Sequence, residues 1–288
     1  MSEYVFLNEQ LVDSDTAHIS VHDAGLLHGV GLFETMRSYH RWVFRLADHL
    51  DRLFASAAAL GIAITQDRTD IVTAIGRLLE ANNLQEARLR LTVTRGSIRN
   101  SSINEPVPST LLITAGVTEP YPLRFYEKGM TIILSNYKQN VADPMAGHKT
   151  LNYFSRLLAL QQAQQQNAGE ALWFTPTNCL AEGCISNVFV VDGHRLLTPP
   201  TDTPVLPGIV RKVVLELAET EGIEYEERPL YIKDLLGASE VFLTNSIMEL
   251  MPVCRIERHV VGDDKPGPIY KQLHQLYCRT VEAEHETQ

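Results

Sequence analysis

The chain has 288 residues, 44% of them hydrophobic and 21% charged, with a formal net charge of −10. That length allows one large domain or two of about 100–150 residues, with a core that needs no metal or disulfide staple. The acidic balance argues against non-specific nucleic-acid binding, which draws on a basic surface. Cys179, Cys184, Cys254 and Cys278 form no C-x-x-C pair and no zinc-ligand spacing, so reduced thiols in a cytoplasmic protein are expected. The N-terminus MSEYVFLNEQ is neither basic nor apolar enough for a signal peptide. No apolar run approaches the roughly 18 residues of a membrane span, so a soluble, cytoplasmic protein is the expectation.

In chain order, YVFLNEQLV and AHISV read as short strands, and HDAGLLHGVGLFETMRSY as a glycine-punctuated loop entering a strand. In LADHLDRLFASAAALGI the residues Leu46, Leu50, Leu53, Phe54, Ala57 and Leu60 recur at helical spacing and stop at Gly61. A second helix is predicted over 68–82. RLRLTVTRG alternates Leu89, Leu91 and Val93 with polar neighbours, as a half-buried strand does, and STLLITAGV reads as another strand. TEPYPLRFYEKG carries two prolines and no helical period, which marks a break. Beyond it come strand MTIILSNY, a helix over 150–166, and strands EALWFTP, SNVFVVD and RLLTPP. A helix after VLPG ends at Gly222, EVFLTNSIMELMPV gives strand plus turn, and PIYKQLHQLYCRTVEAEH closes the chain as a helix. The fold class is α/β with two mixed α/β domains. The N-terminal domain covers 1–117, a linker 118–123 and the C-terminal domain 124–288.

Familiar signatures are missing. GVGLFE lacks the third glycine of a dinucleotide fingerprint, there is no Walker loop, H-E-x-x-H or G-x-S-x-G, and the ten histidines show no metal-binding spacing. Lysine is scarce: seven residues, none before Lys128, against eighteen arginines. Lys149 stands before the helix predicted over 150–166, whose Leu151, Phe154, Leu157 and Leu158 seek the core. Desolvation and the positive end of a helix dipole would push an amine there toward its neutral, nucleophilic form, as a Schiff-base lysine requires. Alone, it reads equally as a solvated loop lysine. Glu182 in LAEGCISNVFVV lies among apolar strand residues. If buried it needs a partner, such as a protonated pyridine nitrogen; otherwise it is a hairpin residue facing water. LPGIVR offers the backbone N–H groups of Ile209 and Val210 at a helix start, FLTNSIMEL offers Ser246, and Arg52 could add a charge, together an anion site in pieces.

These segments in this order (HDAGLLHGVGLFETMRSY, FRLADHLDRL, HKTLNY, LAEGCISNVF, LPGIVR, FLTNSIMELMPV) resemble the fold-type IV pyridoxal-phosphate enzymes over nearly the whole chain. That family includes branched-chain and D-amino acid aminotransferases, (R)-selective amine transaminases and 4-amino-4-deoxychorismate lyases. The resemblance implies pyridoxal 5'-phosphate as cofactor and a homodimer; from the spacing of the histidines, no metal is expected. It implies that Lys149, in the C-terminal domain, forms the Schiff base and shuttles a proton, and that Glu182 pairs with the pyridinium nitrogen. Arg52, Ile209, Val210 and Ser246, with Asn245 beside it, would hold the phosphate. Tyr153 matches a tyrosine that bonds the ring hydroxyl in branched-chain enzymes, one residue closer to the lysine than is usual there.

The substrate side divides. Thr35 stands where branched-chain enzymes generally have glycine and resembles the lyase pattern, whereas HKTLNYF favours the aminotransferases. TRGSIRNS is similar to the segment that supplies the carboxylate-binding arginine of D-amino acid aminotransferases, with Arg99 as candidate. It is one residue shorter, and Ser101 replaces a histidine. Phe33 stands where those enzymes use tyrosine, and His28 where branched-chain enzymes commonly do. Arg37 and Arg95 are further carboxylate candidates, or strand-edge ion pairs. The expectation is an aminotransferase exchanging an amino group between an amino acid or amine and a 2-oxo acid. The alternative is 4-amino-4-deoxychorismate lyase, giving 4-aminobenzoate and pyruvate. Stereochemistry stays open.

Overall fold

The computed structural model of the chain describes residues 3–99 and 107–287. It forms two compact units, Met1–Glu119 with His148–Asn152, and Pro120–Gly147 with Tyr153–Gln288. In the first unit β1 (Tyr4–Leu7) and β2 (Gln10–Asp13) make a hairpin, followed by the short helix α1 (Ala24–His28). Then come β3 (Gly31–Tyr39), β4 (Trp42–Val43), α2 (Leu46–Ala59), α3 (Arg68–Ala81), β5 (Ala87–Thr94) and β6 (Thr110–Val117). The strands form one sheet in the order β2-β1-β6-β5-β3-β4, antiparallel at each described pairing.

This sheet buries one face. Leu32 and Met36 of β3, Leu89, Leu91 and Val93 of β5, and Leu111 and Ile113 of β6 pack with Leu50 and Leu53 of α2 and Ile75 and Leu78 of α3. The period-2 alternation puts Phe33, Thr35 and Arg37 on the opposite face of β3. α3 starts at a reciprocal capping box in which Asp67 accepts from the Asp70 N–H and Asp70 from the Asp67 N–H. AHISV is not a strand: Ile19 and Val21 stay exposed, with no described strand to pair them.

The second unit contains α4 (Leu123–Lys128), β7 (Met130–Lys138), α5 (Phe154–Gln165), β8 (Glu170–Phe174), β9 (Leu180–Gly183), β10 (Asn187–Asp192) and β11 (Arg195–Thr198). It continues with α6 (Ile209–Thr220), β12 (Tyr225–Glu227), α7 (Ile232–Leu236), β13 (Glu240–Asn245), β14 (Glu249–Ile256), β15 (His259–Val260) and α8 (Pro268–Glu286). Its mixed sheet runs β12-β11-β10-β13-β14-β7-β8-β9, with β15 on β14 and parallel pairs at β11–β12, β14–β7 and β7–β8. Covered strands read as continuous apolar runs. β8 is buried throughout, Leu172 and Phe174 facing one apolar cluster and Ala171 and Trp173 another. Phe189 of β10 and Phe242 of β13 stack at 5.0 Å.

Three expectations are corrected. The helix predicted over 150–166 starts at Phe154, because residues 149–151 are taken up in main-chain pairing with β3. Its buried residues are Ala159 and Ala163, not the larger side chains: Phe154 is 73% and Leu157 52% exposed. The helix α4 forms in the segment whose prolines marked it as non-helical, since Pro122 sits before its first turn, where a missing N–H costs nothing. No helix among the described residues is long and apolar enough to cross a membrane.

Candidate active site

Lys149 groups with the first unit rather than with the C-terminal part. Its carbonyl accepts from Phe33 N at 2.9 Å, Leu151 N donates to Gly31 O at 3.0 Å, and Thr150 bridges Leu32. The lysine therefore sits on a strand-like edge added to β3, five residues before α5 begins, and the helix-dipole argument does not apply to it. Its side chain is half-buried, with Nζ 4.6 Å from the centre of the Phe33 ring. The backbone position is set by strand pairing and the amine is laid along an aromatic face.

Behind β3 lies a buried ion cluster. Glu34 accepts from His49 Nδ1 at 2.8 Å, from Arg52 Nε at 2.8 Å and from Arg52 Nη2 at 2.5 Å. Burial would raise the Glu34 pKa, but the Arg52 charge and the hydrogen bonds from His49 and Arg52 win and hold it at about 2. Burial pushes His49 the other way, toward the neutral ring, against the pull of Glu34. Arg52, expected at a phosphate, thus has Nε and Nη2 committed to a carboxylate of its own unit.

In the second unit Glu182 is 3% exposed at the end of β9. Its Oε1 accepts from Arg156 Nη2 at 2.5 Å; its Oε2 accepts from Leu206 N at 2.9 Å and from Asn187 Nδ2 at 3.4 Å. Arg156 also donates to Gly183 O, Cys184 O and Gln139 Oε1. Burial works against its charge, and the attraction of Glu182 more than restores it. The Tyr153 hydroxyl donates to Cys184 O at 2.9 Å, and burial pushes its pKa up. A second buried carboxylate, Glu170, fixes the turn after Glu182. Oε1 accepts from Ala171 N and Cys184 N, and Oε2 from Ile185 N and Ser186 Oγ.

Ile209 and Val210 open α6, whose N-cap Gly208 provides no side-chain hydrogen bond. A Cβ on Gly208 would come within 1.8 Å of Asn187 Oδ1, so any larger residue there would have to displace the Asn187 amide. The first-turn N–H groups point out of the helix, the arrangement that receives an anion. Asn245 shapes the turn carrying Ser246: its Oδ1 accepts from Ile247 N and Met248 N at 2.8 Å each, and its Nδ2 donates to Ile185 O.

Phe33, Thr35 and Arg37 share the outward face of β3, with the Arg37 guanidinium over the Tyr39 ring. The Arg95 backbone N–H donates to Val30 O, placing it just after β5; His28 and Arg99 are exposed. Ser101 lies outside the described residues. Sequence reasoning missed Arg90, which lies opposite Thr35 on β5 with its guanidinium 3.8 Å over the Phe33 ring. It also missed Arg156, Glu170 and Asn187. Arg90 had a signal, since the alternation of RLRL puts it opposite the core leucines. Arg156 and Glu170 had none, because a charged residue on a helix or at a strand end reads as solvated.

In the first unit, an amine held along an edge strand is equipment for amine–carbonyl chemistry. The second unit, taken by itself, carries a buried carboxylate and a helix start suited to an anion. The comparisons with known proteins say which kind of chemistry this is. The chain belongs to the class IV aminotransferase family, whose model matches residues 31–256. It is an enzyme that transfers amino groups. A protein of Methanocaldococcus jannaschii, provisionally assigned as a branched-chain-amino-acid aminotransferase, is 35% identical over 95% of this chain and 94% of its own. A D-alanine aminotransferase of Listeria monocytogenes is 32% identical over 96% of each. Among solved structures, the branched-chain amino acid aminotransferase of Escherichia coli superposes with a TM-score of 0.91 at 27% identity, over 96% of this chain and 94% of that one. A second branched-chain amino acid aminotransferase, solved with pyridoxamine 5'-phosphate, gives 0.91 at 25% over 98% and 94%. A Legionella pneumophila protein provisionally assigned as a 4-amino-4-deoxychorismate lyase gives 0.84 at 25%, over 92% and 96%.

Proposed function

We propose that the chain is a pyridoxal-phosphate-dependent aminotransferase in which Lys149 is the reactive amine and Glu182 the carboxylate that serves the cofactor's ring nitrogen. The carrying observation is Lys149 itself, whose carbonyl accepts from Phe33 N, and whose neighbour Leu151 donates to Gly31 O, while its Nζ lies over an aromatic ring. When bound, the cofactor supplies an aldehyde that condenses with amines and a ring that takes up the electron pair left when a carbon–hydrogen bond ionises. Everything else is the work of this chain's own groups.

Lys149 holds and moves a proton at Nζ, taking it from one carbon and returning it to another as the amino group changes carrier. Glu182, oriented by its hydrogen bonds from Arg156 and the Leu206 N–H, accepts the ring N–H. The Ile209 and Val210 N–H groups, the Ser246 hydroxyl beside Asn245, and Arg52 hold the phosphate. Support for that set is the start of α6, whose N-cap Gly208 has no side chain to bond the first-turn N–H groups. Tyr153 lines the ring from its bond to Cys184 O. Phe33, Thr35, Arg37, Arg95, Arg99 and His28 select the substrate, with an amino acid or amine as donor and a 2-oxo acid as acceptor.

The enzyme works as a homodimer in the cytoplasm. Exposed apolar side chains in each unit, Leu26 and Leu27 in one and Phe154 and Leu157 in the other, are surface that a partner subunit could cover. The lyase is the second reading, favoured by Thr35 and by the similarity to the Legionella protein.

Reduction of the holoenzyme with borohydride, followed by peptide mass analysis, tests the amine. The label is expected on Lys149, and Lys149→Ala is expected to keep its fold and lose the visible absorbance of the bound cofactor. A label on another lysine overturns the assignment. A panel of L- and D-amino acids and (R)-amines, run beside a 4-aminobenzoate assay, separates the two reactions.

A further inference from the structure

Outside these residues, one cluster of ligand-type side chains has no part in amino transfer. His274 and Cys278 lie one turn apart on α8, and Glu249 opens β14. One ligand atom from each, imidazole nitrogen, thiol sulfur and carboxylate oxygen, lies within 4.8 Å of the other two. His274 Nε2 is 3.7 Å from Glu249 Oε2. Two ligands of one tetrahedral zinc ion, each about 2.0–2.2 Å from the metal, stand roughly 3.3–3.6 Å apart. The histidine and the carboxylate are therefore already close to that spacing, and the thiol needs only a rotamer-scale shift.

We propose that Glu249, His274 and Cys278 bind one zinc-class divalent cation, leaving a fourth position for water. Three independent features favour a metal over a plain ion pair. The donor set mixes sulfur, nitrogen and oxygen, which suits zinc and discriminates against magnesium and calcium, whose partners are oxygens. A thiolate and a carboxylate together balance a divalent charge, so the loaded site carries no net charge into a half-buried position. The imidazole is also held in plane, stacked on Tyr270 at 5.6 Å and on Tyr126 at 5.8 Å, so little ring freedom is lost on binding.

Partial exposure of the His274 and Glu249 side chains, 28% and 15%, leaves an approach for the ion. Binding costs the Cys278 thiol its proton, which passes to solvent as the sulfur–metal bond forms. The third ligand lies 25 residues upstream of the histidine, so the expectation of no metal site, drawn from spacing, had no access to it. The ion would tie α8 to the strand that follows the Ser246 turn.

The test uses holoenzyme titrated with cobalt(II) as a spectroscopic substitute, then with zinc(II) and magnesium(II) in thermal unfolding. One equivalent of cobalt should give a thiolate-to-metal charge-transfer band in the near ultraviolet. Zinc should displace it and raise Tm; magnesium should do neither. Cys278→Ser, which preserves size and is checked by circular dichroism, should abolish the band and weaken zinc binding by more than about tenfold, the lower limit for losing even an outer partner. Cys179→Ser should leave both unchanged. No band in the natural sequence, a band that survives Cys278→Ser, or one lost in Cys179→Ser overturns the site.

Discussion

Arg156 Nη2 and Glu182 Oε1 are 2.5 Å apart in a pair that is buried on the carboxylate side and 20% exposed on the arginine side. The guanidinium is bonded to two carbonyls and an amide oxygen besides, so it is a fixed part of the turn and not a loose counter-ion. Removing one member of such a pair strands the other. Arg156→Ala is expected to destabilise the protein by about 3–5 kcal/mol in urea unfolding. Arg156→Met combined with Glu182→Gln should recover much of that loss, because neither charge is then left unpaired. Additive losses in the double variant would show that the two residues do not act together.

The Glu34 cluster makes an acid prediction. The carboxyl is held at about 2 in the folded protein, against the ordinary value of 4.5 that it takes in the unfolded chain. A depressed carboxylate contributes its stability in full above pH 4.5 and loses it as pH falls toward about 2. The difference is worth roughly 3 kcal/mol. Glu34→Gln should be less stable at neutral pH, since His49 and Arg52 lose their partner, and its stability should fall less steeply between pH 4.5 and 2. Equal slopes for both proteins in urea titrations across that range would rule out the coupling.

How much of this could be read beforehand depends on where the deciding contact lies. β5 was legible because its alternation is local, with Leu89, Leu91 and Val93 inward. β10 was legible because a strand covered on both faces is one apolar run. The start of α5 was not, because Leu151, Phe154 and Leu157 keep helical spacing while hydrogen bonds to Gly31 and Phe33, far upstream, claim residues 149–151 for the sheet. Lys149 and Glu182 stood out through their motifs. Arg156 did not, since nothing in NYFSRLL says that its arginine turns inward to a carboxylate.

Glu170 tests how that carboxylate's turn is held. Four donors converge on it, two on each oxygen. Burial raises its pKa and the converging hydrogen bonds oppose that rise. Glu170→Gln replaces one oxygen by an NH2 group and sets it against two donors. The expected cost is about 1–3 kcal/mol in unfolding, the penalty for buried groups left unsatisfied. Amide exchange at Cys184 and Ile185 should quicken. Unchanged protection at those two amides would mean that the turn is held by something else.

Gly208 is the most demanding position in the proposed phosphate site. Its backbone is ordinary, with φ −68°, so alanine is not excluded by conformation. Space opposes it: the new methyl would lie 1.8 Å from Asn187 Oδ1, so that amide would have to move. Asn187 donates to Leu206 O at 2.9 Å and to Glu182 Oε2 at 3.4 Å, so displacing it loosens the loop before α6 and the carboxylate together. Gly208→Ala is therefore expected to weaken pyridoxal-phosphate binding by at least about tenfold, a loss of some 1.4 kcal/mol. The measurement is a cofactor titration of the apoenzyme followed by visible absorbance. Asn187→Ala in the same background removes the clashing oxygen along with its donors, which separates the two effects. If the double variant binds better than Gly208→Ala alone, the clash is the cause; if it binds worse, the hydrogen bonds of Asn187 matter more.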